Sequence, residues 1–456
     1  PTNLEIQYKV DSETGTGAAT LIDYPTYSEL SAGSKYTEDR YPYITSDYEQ
    51  AANEAITKYE AWKIDNTTEV TDYQWQIIDA ALKLDIPNGV KAVDNGLFSG
   101  VLGVEQSDGT YKVTPVAGQS ADTNIEQITF ADVQTFKPYM FSGCKKLKEV
   151  NITGGAATIE DYAFAYDYTV PGSDGKDGTG SESKLTTVNM EGGGGSIGDY
   201  AFNNNAFLND VKLSSAVSSM GIRPFKDCPL LETVDFSGSP YFMADQAIIY
   251  GLENGGKDTI VQCLESRGVL STPGSINASE TEGVTEVYPE AFMDCEEIGS
   301  ADLSKSRIIG ITESTFRNTD SLYSVTLPTA CKSISKYAFW DSNVRYVDIP
   351  SSVTFIDPLA FNTEQNPGTE GYNTIEFYCE EGSAAEIYAN EYESIKVTDK
   401  PVTTTFKVIF WGMNGEIISE QDVLIDTAAT APTAPSIDGY NFTGWLPADF
   451  SSVSRN

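Results

Sequence analysis

Hydrophobic and polar positions along this chain spell one phrase many times. It is plainest at 322–361, "LYSVTLPTACKSISKYAFWDSNVRYVDIPSSVTFIDPLAF". Leu322, Val325 and Leu327 are followed by Ile334 and Phe339; Val344, Val347 and Ile349 are then followed by Ile356 and Phe361. Each unit predicts a short alternating strand, a turn at a proline (Pro328, Pro350), an aliphatic residue, and a phenylalanine five positions later. One such unit cannot bury its apolar side alone, but a stack of them can.

The same grammar runs from Leu84 onward. Phenylalanines stand at 98, 141, 164, 202, 225, 292, 316, 339 and 361, and uninterrupted neighbours are 22 to 24 residues apart. Five residues before each stands an apolar residue: Val93, Phe136, Ile159, Ile197, Met220, Val287, Ile311, Ile334 and Ile356. Alanine directly precedes the phenylalanine at Ala163, Ala201, Ala291, Ala338 and Ala360, where a small side chain lets adjacent turns approach. The strand phrase recurs as "LKEVNI", "LTTVNM", "LNDVKL", "LETVDF", "IGSADL", "LYSVTL" and "VRYVDI". Its first, fourth and sixth positions are expected inside and its third and fifth outside. Successive units are expected to line up in parallel as one long, narrow sheet.

Ahead of the array the pattern differs. "LEIQYKV" alternates and predicts a strand. Ser46 opens "SDYEQAANEAITKYEAWK", where Ala51, Ala55, Ile56, Tyr59 and Trp62 recur at helical spacing, and Ser46 with Glu49 has the form of a capping box. "TDYQWQIIDAALK" (71–83) predicts a second helix with Trp75, Ile78 and Leu82 on one face. Such a pair suits the open end of a solenoid; the other reading is a separate N-terminal binding module.

The strand phrase, proline and "SIGDYAFNNN" or "SISKYAFWDS" together resemble the BspA-type leucine-rich repeats of bacterial surface proteins over 84–397. The closing "EFYCEEGSAAEIYANEY" (376–392) is similar to the ending of these arrays, a last strand and then a short helix carrying Ala384, Ala385, Ile387 and Tyr388. Three insertions depart from the pattern. The first unit runs 43 residues to the next phenylalanine, a glycine-rich loop fills 166–183, and a stretch near 238–283 resembles a hairpin excursion of the family, with Ile248, Ile249, Ile260 and Val261 in its strands. After a Pro/Thr linker at 398–405, residues 406–456 resemble the Listeria–Bacteroides or internalin B-repeat. The matching residues are "FKVIF" (with Phe406, Val408 and Phe410 alternating), "NGE", a strand with Val423 and Ile425, "TAPTAP" and "GYNFTGW". That module normally adds a strand after the part matching "DFSSVS", so the natural chain is expected to continue beyond Asn456. The fold these resemblances imply is mainly β with some α: a leucine-rich-repeat solenoid with a parallel sheet, a helical N-terminal cap over 1–83, and a small C-terminal β-grasp-like domain. They also imply an extracellular location, secreted or on the bacterial surface.

Composition narrows the chemistry. Lys and Arg number 29 against 67 Asp and Glu, a formal net charge of −38, which repels nucleic acid and anionic lipid and favours cationic partners. No apolar run approaches a membrane span, and no charged and apolar leader opens at Pro1, so any export signal is one removed ahead of it. There is no histidine among the 456 residues, which excludes His-based triads, His general bases and His-ligated metals. Cys144, Cys228 and Cys295 each follow a repeat phenylalanine by three residues and never in successive units, too far apart for a disulfide. They read as small buried residues; Cys263, Cys331 and Cys379 have no evident partner either.

Loop 166–183 holds Asp167, Asp174 and Asp177 among glycines, a composition that can wrap calcium but lacks EF-hand spacing; its other reading is a polar insertion. "EGGGGS" (191–196) lacks the ending of a phosphate cradle and reads as a turn. No catalytic residue, cofactor site or metal site is assigned. The exposed strand positions carry the functional expectation: Asn189, Asp210, Lys212, Asp235, Asp302, Thr326, Tyr346 and Asp348 are the candidate partner-binding residues. The partner would be a host or community surface or matrix protein; the alternative is a glycan bound by the array or its insertions. Trp340 and the 26 tyrosines could stack on sugars, though aromatics in repeats usually serve packing.

Overall fold

The computed structural model describes residues 5–10, 17–23, most of 54–71 and, apart from short gaps, 83–115, 125–166, 183–269, 274–361, 374–399, 405–411 and 417–424. The strand phrases stack in parallel. Lys83–Ile86, Gln127–Phe130, Glu149–Ile152, Thr187–Met190 and Asp210–Lys212 form one five-stranded sheet, with a single bridge from Lys212 to Asp235 beyond it. Ser300–Asp302, Ser324–Thr326, Tyr346–Asp348, Ile375–Tyr378 and Ile395–Val397 form another. The expected single sheet is thus two. Between them the third insertion folds as an antiparallel hairpin of Ile248–Glu253 and Gly256–Cys263, the pairing expected of its four aliphatic residues, with Phe242–Asp245 at its edge. Among the described residues the two large cores likewise meet at this hairpin.

Burial follows the phrase. Its first, fourth and sixth residues are inside in every copy, from Leu147, Val150 and Ile152 to Val344, Val347 and Ile349. The residues five before each phenylalanine build a second ladder of two-residue strands, such as Ser196–Ile197, Ser219–Met220, Gly310–Ile311 and Ser333–Ile334. The nine phenylalanines are all buried. Neighbouring rings stack nearly parallel at 5.4 Å (Phe98–Phe141), 4.6 Å (Phe141–Phe164), 5.0 Å (Phe164–Phe202) and 5.2 Å (Phe202–Phe225). The column resumes as Phe292–Phe316 at 4.9 Å, Phe316–Phe339 at 5.4 Å and Phe339–Phe361 at 4.8 Å.

The missing rung is filled by a residue the spacing concealed. The N–H groups of Phe164, Phe202, Phe292, Phe316 and Phe339 donate to the carbonyl just before the next phenylalanine, as Phe292 does to Thr315 and Phe316 to Ala338. Cys263 N–H donates to the Ala291 carbonyl in the same way, so Cys263 sits in the phenylalanine's seat. One rung back, Phe225 N–H finds the Gln262 side-chain oxygen at 3.1 Å in place of a carbonyl.

The cysteines among the described residues are all free thiols. Those three places after a rung do more than fill space. Cys144 donates to the Phe98 carbonyl, Cys228 to that of Phe202 and Cys295 to that of Cys263, at 3.3 to 3.5 Å. Asn205, Thr319 and Ser342 donate to phenylalanine carbonyls from the same position in other units. The position asks for a compact donor, and a thiol is one.

At the N-terminal end, Glu5–Val10 is a strand as expected, but it pairs with Gly17–Asp23, which runs parallel to Val90–Val93. A hairpin therefore joins the array at this end. Helical residues occur between Glu54 and Ile64, with Ala55 buried; the capping box and nearly all of 71–83 lie outside the described residues, and Lys83, expected to end the second helix, opens a strand. The first insertion is a hairpin, Val101–Glu105 with Tyr111–Pro115. The closing helix, Ala384–Ala389, is capped by Ser383, whose oxygen accepts from Glu386 N–H, while Glu386 accepts from Gly382 N–H. Ala385 and Tyr388 face the core and Ile387 faces out. The array does not end there, because Ile395–Val397 adds one more parallel strand. Thr405–Trp411 and Ile417–Leu424 then pair antiparallel, with Phe406 opposite Val423; the rest of 406–456 lies largely outside the described residues.

Phe339 is stacked on both sides and 1% exposed. Phe339→Ala should lower unfolding stability by about 3–5 kcal/mol. Thermal or urea unfolding measures it, and an unchanged melt would exclude the ring from the core.

Candidate functional site

The register fixes which exposed side chains are neighbours. In the N-terminal sheet Glu149, Thr187 and Asp210 form one file, and Asn151, Asn189, Lys212 and Asp235 form the next. In the C-terminal sheet the files are Ser300, Ser324, Tyr346 and Glu376, then Asp302, Thr326, Asp348 and Tyr378. Asn189, Asp210, Lys212 and Asp235 therefore gather on one sheet, and Asp302, Thr326, Tyr346 and Asp348 on the other. Among the described residues the two groups are not joined by strand pairing.

The sheets differ in chemistry. On the first, polar groups bind one another. Gln127 and Asn151 amides donate to Glu149 Oε1 at 2.9 and 2.7 Å, and the Asn189 amide donates to Asn151 Oδ1 at 3.0 Å. Lys148 pairs with Glu126 at 2.8 Å and Lys212 with Glu191 at 3.8 Å. On the second, aromatics dominate. Tyr346 packs against the edge of Tyr323 at 5.0 Å and stacks on Tyr378 at 5.7 Å, while Arg345 lies 5.9 Å from the Tyr323 ring. Burial, with Tyr346 and Glu376 beside it, raises the Tyr378 phenol above its ordinary pKa. Asp302 is half-buried and accepts from Ser304 N–H at 2.9 Å. Tyr323 and Tyr378 were missed in the sequence. Aligning Phe377 of "IEFYC" with Val347 would have placed Tyr378 in the file of Asp348.

A second charged group lies where the two sheets part. Arg223 is 1% exposed, and its guanidinium reaches Glu265 at 2.7 Å, Asp294 at 2.8 Å and Glu290 at 3.8 Å. Glu290 also accepts from the Tyr200 hydroxyl at 2.9 Å. Among the described residues, Asp227, Glu265 and Asp294 are the carboxylate trio close enough to share a cation, but Arg223 already supplies positive charge there. The cluster reads as a clamp between rungs. Burial raises Glu265 to about 7, against the opposing pull of Arg223 and the Asp227 N–H. Burial works against charge on Arg223, yet Glu265 and Asp294 outweigh it and raise its pKa.

Of the other candidates, Asp167, Asp174 and Asp177 lie outside the described residues. Glu191–Gly195 is the turn between strands Thr187–Met190 and Ser196–Ile197. Trp340 is half-buried, edge-on to Tyr337 at 5.3 Å. Among the described residues no helix is long and apolar enough to cross a membrane.

Comparison with known proteins decides the family. The description "BspA type Leucine rich repeat region" matches in six copies, over residues 68–170, 179–250 and 274–367, more than half of the chain. The chain belongs to the BspA-type leucine-rich repeat family. No curated protein matches it. Among solved structures it is similar to the pneumococcal vaccine antigen PcpA, at 14% identity over 70% of this chain and 80% of that one, with a TM-score of 0.39. A leucine-rich cell surface protein of Faecalibacterium prausnitzii A2-165 shares 14% identity over 78% and 93% of the two chains, with a TM-score of 0.29. A leucine-rich repeat protein of Bacteroides ovatus ATCC 8483 shares 14% over 87% and 98%, with a TM-score of 0.26.

For this BspA-type array, the raised Glu265 pKa gives the clamp a pH dependence of definite sign. A carboxyl whose folded pKa lies above its unfolded value of 4.5 stabilises fully below that value and loses the contribution as pH rises through about 7. The wild-type melting temperature should therefore fall between pH 5 and pH 8 by more than that of Glu265→Gln, compared by calorimetry at the two pH values. Equal slopes would show that Glu265 is ionised throughout.

Proposed function

We propose that this chain is a non-catalytic, adhesin-like binding protein of the bacterial surface that docks a protein partner on the exposed face of its repeat array. The observation that carries this is the register: two files of polar side chains repeat on every strand phrase, so the face offers a contact at each rung. Parallel strands lie about 4.8 Å apart, which suits an extended target rather than a small substrate. Asn189, Asp210, Lys212 and Asp235 are the contacts assigned to one sheet, and Asp302, Thr326, Tyr346 and Asp348 those assigned to the other. The partner is a surface or matrix protein of a host or a neighbouring microbe, and the overall charge of −38 favours one with basic segments. In this reading 84–397 is the binding array, 1–83 closes its N-terminal end, and the hairpin after 405 belongs to an internalin B-repeat-like, β-grasp-like spacer. The absence of histidine from the sequence supports binding over catalysis.

A second reading, carbohydrate binding, is favoured by one local feature: the cluster of Tyr323, Tyr346 and Tyr378 beside Arg345 and Asp348. Aromatic rings flanked by hydrogen-bonding groups suit sugars as well as proteins.

The test is binding of candidate host glycoproteins, intact and deglycosylated, to the wild type and to charge reversals at Asp235, Asp302 and Asp348. Protein docking predicts a loss of about tenfold or more in affinity from the triple reversal, the size expected when like charges face each other across an interface. Unaltered binding would exclude this face. Binding that vanishes with the glycan and with Tyr346→Ala would favour the carbohydrate reading.

A further inference from the structure

We propose that Cys263 and Cys295 form a disulfide when the chain folds under oxidising conditions, tying the inserted hairpin to the C-terminal stack. The argument rests on the seat that Cys263 occupies. Elsewhere a cysteine three places after its rung meets a phenylalanine of the preceding rung: Cys144 donates to the Phe98 carbonyl and Cys228 to that of Phe202. The rung before Cys295 is Cys263 itself, so here a thiol faces a thiol. Cys295 Sγ donates to the Cys263 carbonyl at 3.5 Å and the Leu264 carbonyl at 3.8 Å, and Cys263 Sγ reaches the same Leu264 carbonyl at 3.7 Å. Both sulfurs therefore lie within 4 Å of one carbonyl oxygen, and the two side chains are hydrogen-bond neighbours. No other pair of described cysteines is brought together on a common acceptor.

The chemistry requires an oxidant, and a low-molecular-weight disulfide such as oxidised glutathione serves. One cysteine thiolate attacks it, forming a mixed disulfide and releasing one small thiol. The second cysteine thiolate then displaces the other small thiol, and the two protons lost from the cysteines end on the released thiols. Two protein thiols are oxidised and one small disulfide is reduced. Both cysteines are at most 1% exposed in the folded chain, and the hydrogen bond with Cys263, together with burial, raises the Cys295 thiol well above its ordinary pKa. The bond therefore forms as the hairpin seats itself, and the finished core then shields it from reductants. It closes the loop between Cys263 and Cys295 at the place where strand pairing between the two sheets is interrupted.

Refolding from denaturant in a glutathione redox buffer, and in parallel under reductant, tests this on one sequence. Titration with Ellman's reagent in denaturant should find four thiols of the six after oxidative refolding and all six after reductive refolding. Peptide mapping should recover a Cys263–Cys295 cross-link, and the oxidised form should melt about 5 °C higher, as expected for a loop of this length. Cys295→Ser should show five thiols and no such shift. Six thiols after oxidative refolding, or a cross-link between other cysteines, would overturn the proposal.

Discussion

Everything in this molecule depends on one phenylalanine stacking on the next. Apart from the interrupted step, the column keeps ring centroids 4.6 to 5.4 Å apart, about the spacing of hydrogen-bonded strands. That match lets each unit satisfy its backbone and bury its ring with the same neighbour in the same register. A ring buried this way is worth roughly 1.5–3 kcal/mol, and the repeat collects that gain at each rung without a globular core. The third and fifth positions of each strand phrase point away from that column, where they bond and stack with one another.

Holding the rings in line constrains the backbone around them. The residue two before the phenylalanine is left-handed at Tyr139, Tyr162, Tyr200, Arg223, Glu290, Ser314 and Tyr337, and so is the residue two after it at Asn204, Asp227, Asp294, Asn318 and Asp341. The second set is Asn or Asp, residues that tolerate this conformation, with glycine at Gly100 and Gly143. The first set carries no such relief and costs about 1–2 kcal/mol each, which the stacked core offsets. In return its side chains line up along the turns. Tyr139, Tyr162 and Tyr200 stack at 5.4 and 5.1 Å, and Arg223 next in the column reaches the carboxylates of the rungs beyond.

How much of this the sequence disclosed depended on whether a feature was local to one unit. Inward and outward positions were legible because alternation within a six-residue phrase sets them, and Val347 or Asp348 needs no distant information. The Asn or Asp two places after the ring went unread, although "AFNN", "PFKD" and "AFMD" write it within one unit. Long-range partners were not legible. Nothing in "GAATLID" says that it pairs with Val90–Val93. Cys263 was hidden because the residue before it in the second ladder, Ile260, pairs with Val287 yet stands three places away rather than five. Of the exposed face, Tyr346 could be read from its phrase. Tyr378 could not be read so simply, because residues 362–374 separate it from the unit before.

The seam shows what a ladder must do to admit an interruption. Removing one ring from the column would leave Phe225 and Phe292 without a shared neighbour. The hairpin supplies a smaller residue in the seat and the Gln262 side chain in place of a carbonyl. Neither replaces the dispersion contact of a phenylalanine, so the stacking there is weaker than elsewhere. The polar groups compensate by direction rather than by strength. A buried ion pair seldom gains much over an apolar contact once desolvation is counted, but breaking one is costly. Arg223, held between Glu265 of the hairpin and Asp294 of the following rung, therefore fixes how the halves meet. A seam specified by charge, between two stacks specified by ring packing, keeps the hairpin in one orientation while the faces on either side keep their regular spacing.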